Sequence, residues 1–226
     1  ETQKETGDVT FPIKENGYQT NHNGGSDVFV CKLSEIKTTT YMGQTRKYQD
    51  LIYSSYLGTN QNEFLSKMMF NSHYNLLFLI GYTNATTFPA TFGYESRSAG
   101  KNDVFICGLT LPTSDLTISG LFGAANDDYG NSMAIDKRKD IYFAGTTKST
   151  DLKQVNSYQP TYGGGVSDGF ITKLAFGEIS VTSPMGNEEY CRGNSVSIKW
   201  SGTNFSSEDY FNVQMIKGLE GSDWED

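Results

Sequence analysis

Several residue types on which enzymes and metal sites depend are scarce in this chain of 226 residues. It has only three cysteines, two histidines and five prolines. His22 and His73 lie 51 positions apart, with no cysteine or carboxylate at metal-ligand spacing, so both are predicted to lie in surface turns. No G-x-S-x-G elbow, HExxH motif, Walker loop or paired-cysteine zinc spacing occurs. The sequence therefore predicts a protein that is not an enzyme and has no cofactor.

Long apolar runs and clustered positive charge are also lacking. The chain has no run of 18 apolar residues, and residues 1–20 contain no apolar core of a signal peptide. Its formal net charge is −8, from 18 basic and 26 acidic residues, with no basic stripe. Because phosphate backbones attract clustered basic side chains, the sequence predicts no nucleic-acid partner, and it predicts no membrane span.

What the chain does contain is repetition. Three segments follow one pattern, an Asp and then an alternating apolar strand: SDVFVCKL from Ser26, NDVFICGL from Asn102 and SDGFITKL from Ser167. A second recurring unit begins at Tyr56 and again at Leu121. Equivalent positions of this unit are 64 or 65 residues apart, which is about the length of one four-stranded β-propeller blade.

The first copy is longer than the second by 11 residues, all of which fall between residues 33 and 57. The segment concerned, SEIKTTTYMGQTRKYQD, is polar and has no apolar period. Insertions cost little in surface connections. We therefore expect a strand-connecting loop or a hairpin extension on the surface.

Period-two alternation between turn residues predicts nine strands. They are 27–33, 51–57, 66–71, 76–82, 103–109, 115–121, 131–136, 140–146 and 168–174. If strands run from inner to outer, the chain supplies two strands of one blade, four of a second and three of a third. A closed ring needs about 4 to 8 four-stranded blades. The sequence thus predicts an incomplete ring, either part of a longer polypeptide or an open array completed by another chain.

These repeated pieces carry a family resemblance. TFP, GYQT and NGGSDVFVCKL, with GNSMAIDKRKDIYFAGTTKSTD, resemble the SBBP repeat of bacterial proteins, whose units read YGIAVD, GNVYVTG, STDFPT and NGGSDAFVTKL in order. The resemblance covers about residues 8–174. It implies blades of a family named for seven-bladed β-propellers, in a secreted or surface protein without an assigned activity.

The composition changes after Leu174. The segment from Glu178 has no counterpart upstream and resembles the start of an Ig-like or fibronectin-like module, with Trp200 as the expected core residue and Tyr190 at the place of a first tryptophan. We expect β-propeller repeats at 1–176, about two and a half blades, and a partial Ig-like β-sandwich at 177–226. The expected fold class is all-β, with incomplete propeller blades followed by a partial sandwich.

Acidic residues recur in the turns before strands. Asp27, Asp103 and Asp168 precede a strand in all three copies, which favours turn capping over catalysis. Asp127 and Asp128 are the best adjacent carboxylates and the only candidates for a Ca²⁺ site, with turn capping as the alternative.

The three cysteines do not form a self-contained disulfide framework. Cys31 and Cys107 occupy one position in successive copies, and equivalent positions in neighbouring blades diverge, so no bond between them is expected. Both are predicted to be small buried hydrophobic residues. Cys191 lies in the C-terminal module.

Candidate surface groups are few. Sequons begin at Asn84 and Asn204, and these are the candidate glycan acceptors if the protein is secreted by a eukaryote. Tyr18, Tyr94 and Tyr158 recur at one position of the aromatic lead-in that precedes each Asp strand. They are candidate ligand-facing aromatics, although recurrence also favours packing.

Taken together, these features favour a non-enzymatic secreted or cell-surface scaffold or adhesion protein that presents propeller loops to protein or glycan partners. One alternative is a structural subunit of an extracellular filament or secretion-linked assembly, because an open array has unpaired strand edges. The other is a carbohydrate-binding or carbohydrate-cleaving propeller, which the recurrent tyrosines suggest.

Overall fold

The computed structural model describes residues 11–91, 95, 97–111, 114–137, 140–174, 178–183 and 197–203. Every regular element in these ranges is a β-strand, which confirms the all-β prediction. Over the same ranges, no helix is long and apolar enough to cross a membrane. Contacts divide the chain into two compact units, Glu1–Leu174 and Ala175–Asp226.

The described residues of the first unit form three antiparallel sheets, which we call blades, and a hairpin. The first blade pairs β1 (Val28–Leu33) with β4 (Leu51–Leu57), and the hairpin of β2 (Lys37–Tyr41) and β3 (Gln44–Tyr48) lies between them in the chain. The second blade has the order β5 (Glu63–Asn71), β6 (Leu76–Thr83), β7 (Asp103–Thr110) and β8 (Leu116–Phe122). The third has the order β9 (Asp128–Ile135), β10 (Ile141–Thr147) and β11 (Asp168–Leu174).

Two, four and three strands are thus found in the blades, as the repeat predicts. The main difference is that β5 and β9 each begin three residues earlier than expected, at Glu63 and Asp128. Pairing continues through Glu63↔Thr83 and Asp128↔Thr147, beyond the apolar alternation. A side-chain pattern does not report this extra pairing, because backbone groups make it.

The first and second blades bury one shared apolar core. Its buried members are Val28, Val30, Tyr53, Leu57, Leu77, Leu79, Phe88, Phe105, Cys107, Leu109 and Leu121. Val28 and Val30 share one face of β1, since successive side chains of a strand alternate between faces.

The cysteine prediction is half right. Cys107 is fully buried, and its burial raises the pKa of the thiol to about 12, so the thiol stays protonated. Cys31 is exposed, contrary to expectation. It lies on the face of β1 opposite Val28 and Val30, which are the residues packed against the second blade.

The second and third blades also pack face to face. The rings of Phe122 and Phe143 pack edge-on with their centroids 5.4 Å apart, and those of Tyr82 and Tyr129 do so with their centroids 4.8 Å apart. A Cβ on Gly130 of β9 would lie 2.7 Å from the Val104 side chain, so the contact between these blades needs a glycine there.

In the second unit, β12 (Glu178–Ser183) pairs antiparallel with β13 (Lys199–Thr203). Trp200 lies on β13 opposite Val181 and is 49% exposed. The expectation of a buried core tryptophan is therefore wrong at this position within the described strands. Tyr190 and Cys191 lie outside the described residues.

Candidate functional site

One carboxylate caps the glycine-rich turn before each of the strands β1, β7 and β11. The donors are the backbone N–H groups of Asn23 to Asp27 (2.9 Å), Ala99 to Asp103 (2.8 Å) and Gly163 to Asp168. Each donor lies four or five positions before its acceptor, so the cap is local to its turn. The predicted turn-capping role of these three residues is confirmed.

A second set of carboxylates caps the turns that lead into β5 and β9. Glu63 accepts hydrogen bonds from the Thr59 N–H at 2.8 Å and from the Thr83 hydroxyl at 2.8 Å. Asp128 accepts them from the Ala124 N–H at 2.7 Å and the Ser149 hydroxyl at 3.0 Å. The capping role of Glu63 was not predicted from the sequence. The signal was present, since an acid follows the repeated Gly58 and Gly123 by five positions in both copies.

The two sets of carboxylates meet across these glycines. A Cβ on Gly58 would lie 2.3 Å from Asp27 Oδ1 and 2.8 Å from Glu63 Oε2. One on Gly123 would lie 2.1 Å from Asp103 Oδ1. In the second blade β5 and β7 start at the same end of the antiparallel sheet, and in the third blade β9 and β11 do so, which places Glu63 and Asp103 at one end of the second blade and Asp128 and Asp168 at one end of the third.

The two candidate Ca²⁺ ligands face different partners. Asp127 Oδ1 accepts a hydrogen bond from Asn102 Nδ2 at 2.8 Å, and Oδ2 pairs with Lys148 Nζ at 3.1 Å. The Asn102 bond and then the Lys148 charge hold the pKa of Asp127 below its ordinary value. Asp128 is fully buried, and burial, with a smaller effect of the Asp103 charge, raises its pKa.

No group of three His, Cys, Asp or Glu side chains within the described ranges converges as metal ligands. Asp128 instead accepts a hydrogen bond that closes the turn before β9, and Asp127 accepts one from Asn102, in the turn before β7. The Ca²⁺ site stays a prediction.

The lead-in tyrosines lie in different surroundings. Tyr18 is partly buried against the core between the first and second blades, and its burial raises the pKa of the phenol. Tyr158 is fully exposed on the loop before β11. Tyr94 lies outside the described residues. Because Tyr18 is partly buried and Tyr158 is fully exposed, the two rings do not contribute equally to an aromatic surface.

The remaining candidates that the structure describes are exposed. Asn84 lies at the surface, and its Oδ1 accepts a hydrogen bond from the Asn62 N–H at 3.0 Å. Asn204 is outside the described residues. His22 and His73 are both exposed, as predicted, and each contacts a tyrosine ring edge-on.

The insertion in the first copy forms a projecting hairpin, which we call the arm and define as residues 37–48. Ser34 N donates to Asp50 O at 2.8 Å, and Asp50 N donates to Ser34 Oγ at 2.9 Å, which joins the arm to the β1–β4 ladder. Five residue pairs follow, from Lys37↔Tyr48 to Tyr41↔Gln44. The arm thus extends about 17 Å, and every residue of both its strands is exposed.

The tip of the arm has a strained residue. Met42 has φ of 49° and Gly43 has φ of 75°, as a type I′ hairpin turn requires at its two central positions. Asn is the usual first residue of such turns, because a Met side chain disfavours this backbone region. The chain instead holds a Met there that is 85% exposed.

Comparison with known proteins identifies part of this architecture. Residues 119–153 match the family model for the beta-propeller repeat, SBBP. The match runs from the end of β8 through β10 and includes Asp128 and its partner Ser149. A search of curated proteins found no match to the chain. A β-propeller repeat suggests a protein-interaction scaffold fold.

Proposed function

We propose that this protein is a non-enzymatic secreted or cell-surface scaffold that presents the loops of its β-propeller repeats to other proteins. The observation that carries the proposal is the contrast between the repeated carboxylates and the inserted arm. Repeated carboxylates are bound to the backbone of their own turns, whereas the inserted arm makes no contribution to the shared core and projects from the first blade.

A packed framework with an exposed insertion is typical of proteins that bind partners through loops on a rigid scaffold. Paired antiparallel strands and the shared apolar core fix the blades, and loops on such frameworks tolerate insertions and carry contacts. The capping bonds hold the turns in place, since each joins an acid to an N–H a few residues away.

The scaffold role is tested by placing a photo-crosslinking amino acid at three exposed positions, Met42, His73 and Asn126, in the organism that makes the protein. Covalent adducts with other proteins, identified by mass spectrometry, are expected from at least one of these loops. Absence of adducts from all three would contradict the scaffold role.

The location is tested separately. A membrane-impermeant biotin reagent applied to intact cells is expected to label the protein on the cell surface, or the protein is expected in the culture medium. Retention of all the protein inside intact cells would contradict a secreted or surface location.

Carbohydrate binding is a second candidate, favoured by the full exposure of Tyr158 in the loop before β11. An exposed aromatic ring can stack on the apolar face of a sugar. A glycan array probed with the native chain and with Tyr158→Ala decides this point, because binding that is lost in the variant would support carbohydrate recognition and absence of binding would exclude it.

A further inference from the structure

The arm differs in charge from the rest of the chain. Of the chain's 18 basic and 26 acidic residues, residues 36–49 contain three basic ones and no acidic one. They are Lys37, Arg46 and Lys47. An acidic protein with a basic projection attracts negatively charged partners at the projection alone.

The basic residues of the arm differ in whether they have an ion-pair partner. Lys37 on β2 forms an ion pair with Asp50, which raises the pKa of the lysine. Arg46 and Lys47, both on β3, have no ion-pair partner within the part of the chain that the structure describes. Uncompensated positive charge is therefore concentrated on β3.

The side chains of β3 lie on both faces of the arm. By alternation, Arg46 shares one face with Tyr41 and Tyr48, while Lys47 lies on the other face with threonines. Tyrosine and arginine are the residues most often found at the energetic centres of protein interfaces. The exposed Met42 lies next to the aromatic face at the tip.

The edge of β3 also has free backbone groups. Among the described residues, the arm is a two-stranded sheet whose outer edges pair with no third strand. The pair Tyr41↔Gln44 closes the two-residue turn and is hydrogen-bonded, and the pairs alternate from there. The N–H groups of Thr45 and Lys47 therefore face away from β2, along the outer edge of β3.

We propose that the arm binds an extended acidic segment of a partner protein, which adds as a third strand along the outer edge of β3. Backbone hydrogen bonds to the N–H groups of Thr45 and Lys47 provide the pairing. Adjacent acidic side chains of the segment, which alternate between faces, meet Arg46 on one face and Lys47 on the other. This inference rests on the scaffold role proposed above and names the surface and the partner chemistry.

The test uses the full 226-residue chain and a fluorescein-labelled peptide of about ten residues, with two adjacent glutamates at its centre, flanked by alternating valine and threonine. Fluorescence anisotropy is expected to show binding that weakens as the salt concentration rises. The same peptide with lysines in place of the glutamates is expected not to bind. Absence of binding by the acidic peptide, or equal binding by the lysine peptide, would overturn the proposal.

Charge reversal tests the basic residues. Arg46→Glu with Lys47→Glu is expected to weaken binding of the acidic peptide about tenfold or more, because two attractive pairs become repulsive. Lys67→Glu with Lys137→Glu makes the same charge change at two exposed sites outside the arm and is expected to leave binding within about twofold. An equal loss in both double variants would show a general charge effect and overturn the proposal.

Proline substitution tests the strand edge. Thr45→Pro removes an outward N–H from β3 without breaking the β2–β3 ladder, and it is expected to weaken binding about tenfold. Thr38→Pro removes an outward N–H from the opposite edge and is expected to have little effect. Unchanged circular dichroism of each variant shows that the chain is folded. Equal affinities of the two variants would overturn pairing along β3.

The outcomes also separate this inference from the broader scaffold role. Crosslinks to partner proteins at His73 or Asn126, with no arm-dependent peptide binding, would leave the scaffold role standing and overturn the arm inference. Tighter binding of a single-stranded oligonucleotide than of the acidic peptide would overturn the protein partner proposed for the arm.

Discussion

Gly81 and Gly145 show how packing selects one residue type in every copy of the repeat. A Cβ on Gly145 would lie 1.9 Å from Tyr129 O and 2.7 Å from the Phe170 ring. On Gly81, the corresponding distances to Phe64 O and the Phe105 ring are 1.9 and 2.8 Å. Each glycine therefore lets an aromatic ring of the next strand lie directly against the backbone.

Substitution of Gly145 by Ala is expected to destabilise the protein by about 3 kcal/mol, since the backbone carbonyl cannot move away without disturbing the β9–β10 pairing. Gly169→Ala is the matched control, because its Cβ would meet nothing closer than 3.9 Å. Urea unfolding of both variants measures the difference in free energy. Equal stability of the two variants would show that the tight contact at Gly145 has no energetic effect.

Asp128 makes stability depend on pH in a direction opposite to that of most carboxylates. Its pKa is raised, mainly by burial and further by Asp103, so the native state binds its proton more tightly than the unfolded chain does. The stability contributed by this group therefore decreases as pH rises from the ordinary carboxyl pKa through the raised one. Above that range, the whole cost of the buried charge is present.

The substitution Asp128→Asn keeps an oxygen acceptor for the Ala124 N–H and removes the charge beside Asp103. We expect this variant to be more stable than the wild type by about 1 kcal/mol at pH 7, with the difference vanishing below the ordinary carboxyl pKa. Thermal unfolding across a pH series measures this. A variant that is less stable at pH 7 would show that the charged form of Asp128 is the stabilising one.

At the scale of elements, the sequence pattern predicts strands where apolar side chains alternate. It does not predict strand residues that pair only through their backbone groups. The strands 51–57 and 168–174 match β4 and β11 residue for residue. The early starts of β5 and β9 were not predictable from apolar spacing, because they begin with buried acids that cap turns. The insertion was predicted as a loop or hairpin extension because the copies differ in length, but its charge distribution on β3 emerges only from the register.

The arm is expected to add nothing to the stability of the first blade. Replacing residues 37–48 by Asn-Gly removes only exposed strands and shortens a loop, which costs no buried area and lowers the entropy of closure. The free energy of unfolding in urea is expected to stay within about 0.5 kcal/mol of the wild type. A loss above about 1 kcal/mol would show that the arm packs against the blade.

At the scale of the whole first unit, residues at equivalent repeat positions differ in burial because their neighbours differ. Phe105 is fully buried between the first and second blades, whereas its equivalent Phe29 is 58% exposed. Ile106 is 3% exposed and its equivalent Ile171 is 75% exposed. Nothing in the local sequence distinguishes the members of each pair, since burial depends on which face another sheet covers within the described residues.

This difference gives a matched comparison. Ile106→Ala is expected to destabilise the protein by about 3 kcal/mol through lost burial and an internal cavity. Ile171→Ala is expected to change stability by less than about 0.5 kcal/mol, because the side chain is already in water. Denaturant unfolding of the two variants is the measurement, and a similar loss in both would show that Ile171 is covered in solution.

The capping acids also bear on how such a chain can lengthen during evolution. Asp103 and Asp168 each bind an N–H group that lies only four or five positions upstream, so one stretch of gene encodes both the turn and its cap. A duplicated copy thus arrives with this turn already capped. Gene duplication can add or remove a copy without creating an uncapped turn, while an insertion such as the arm can diverge in one copy and leave the others unchanged.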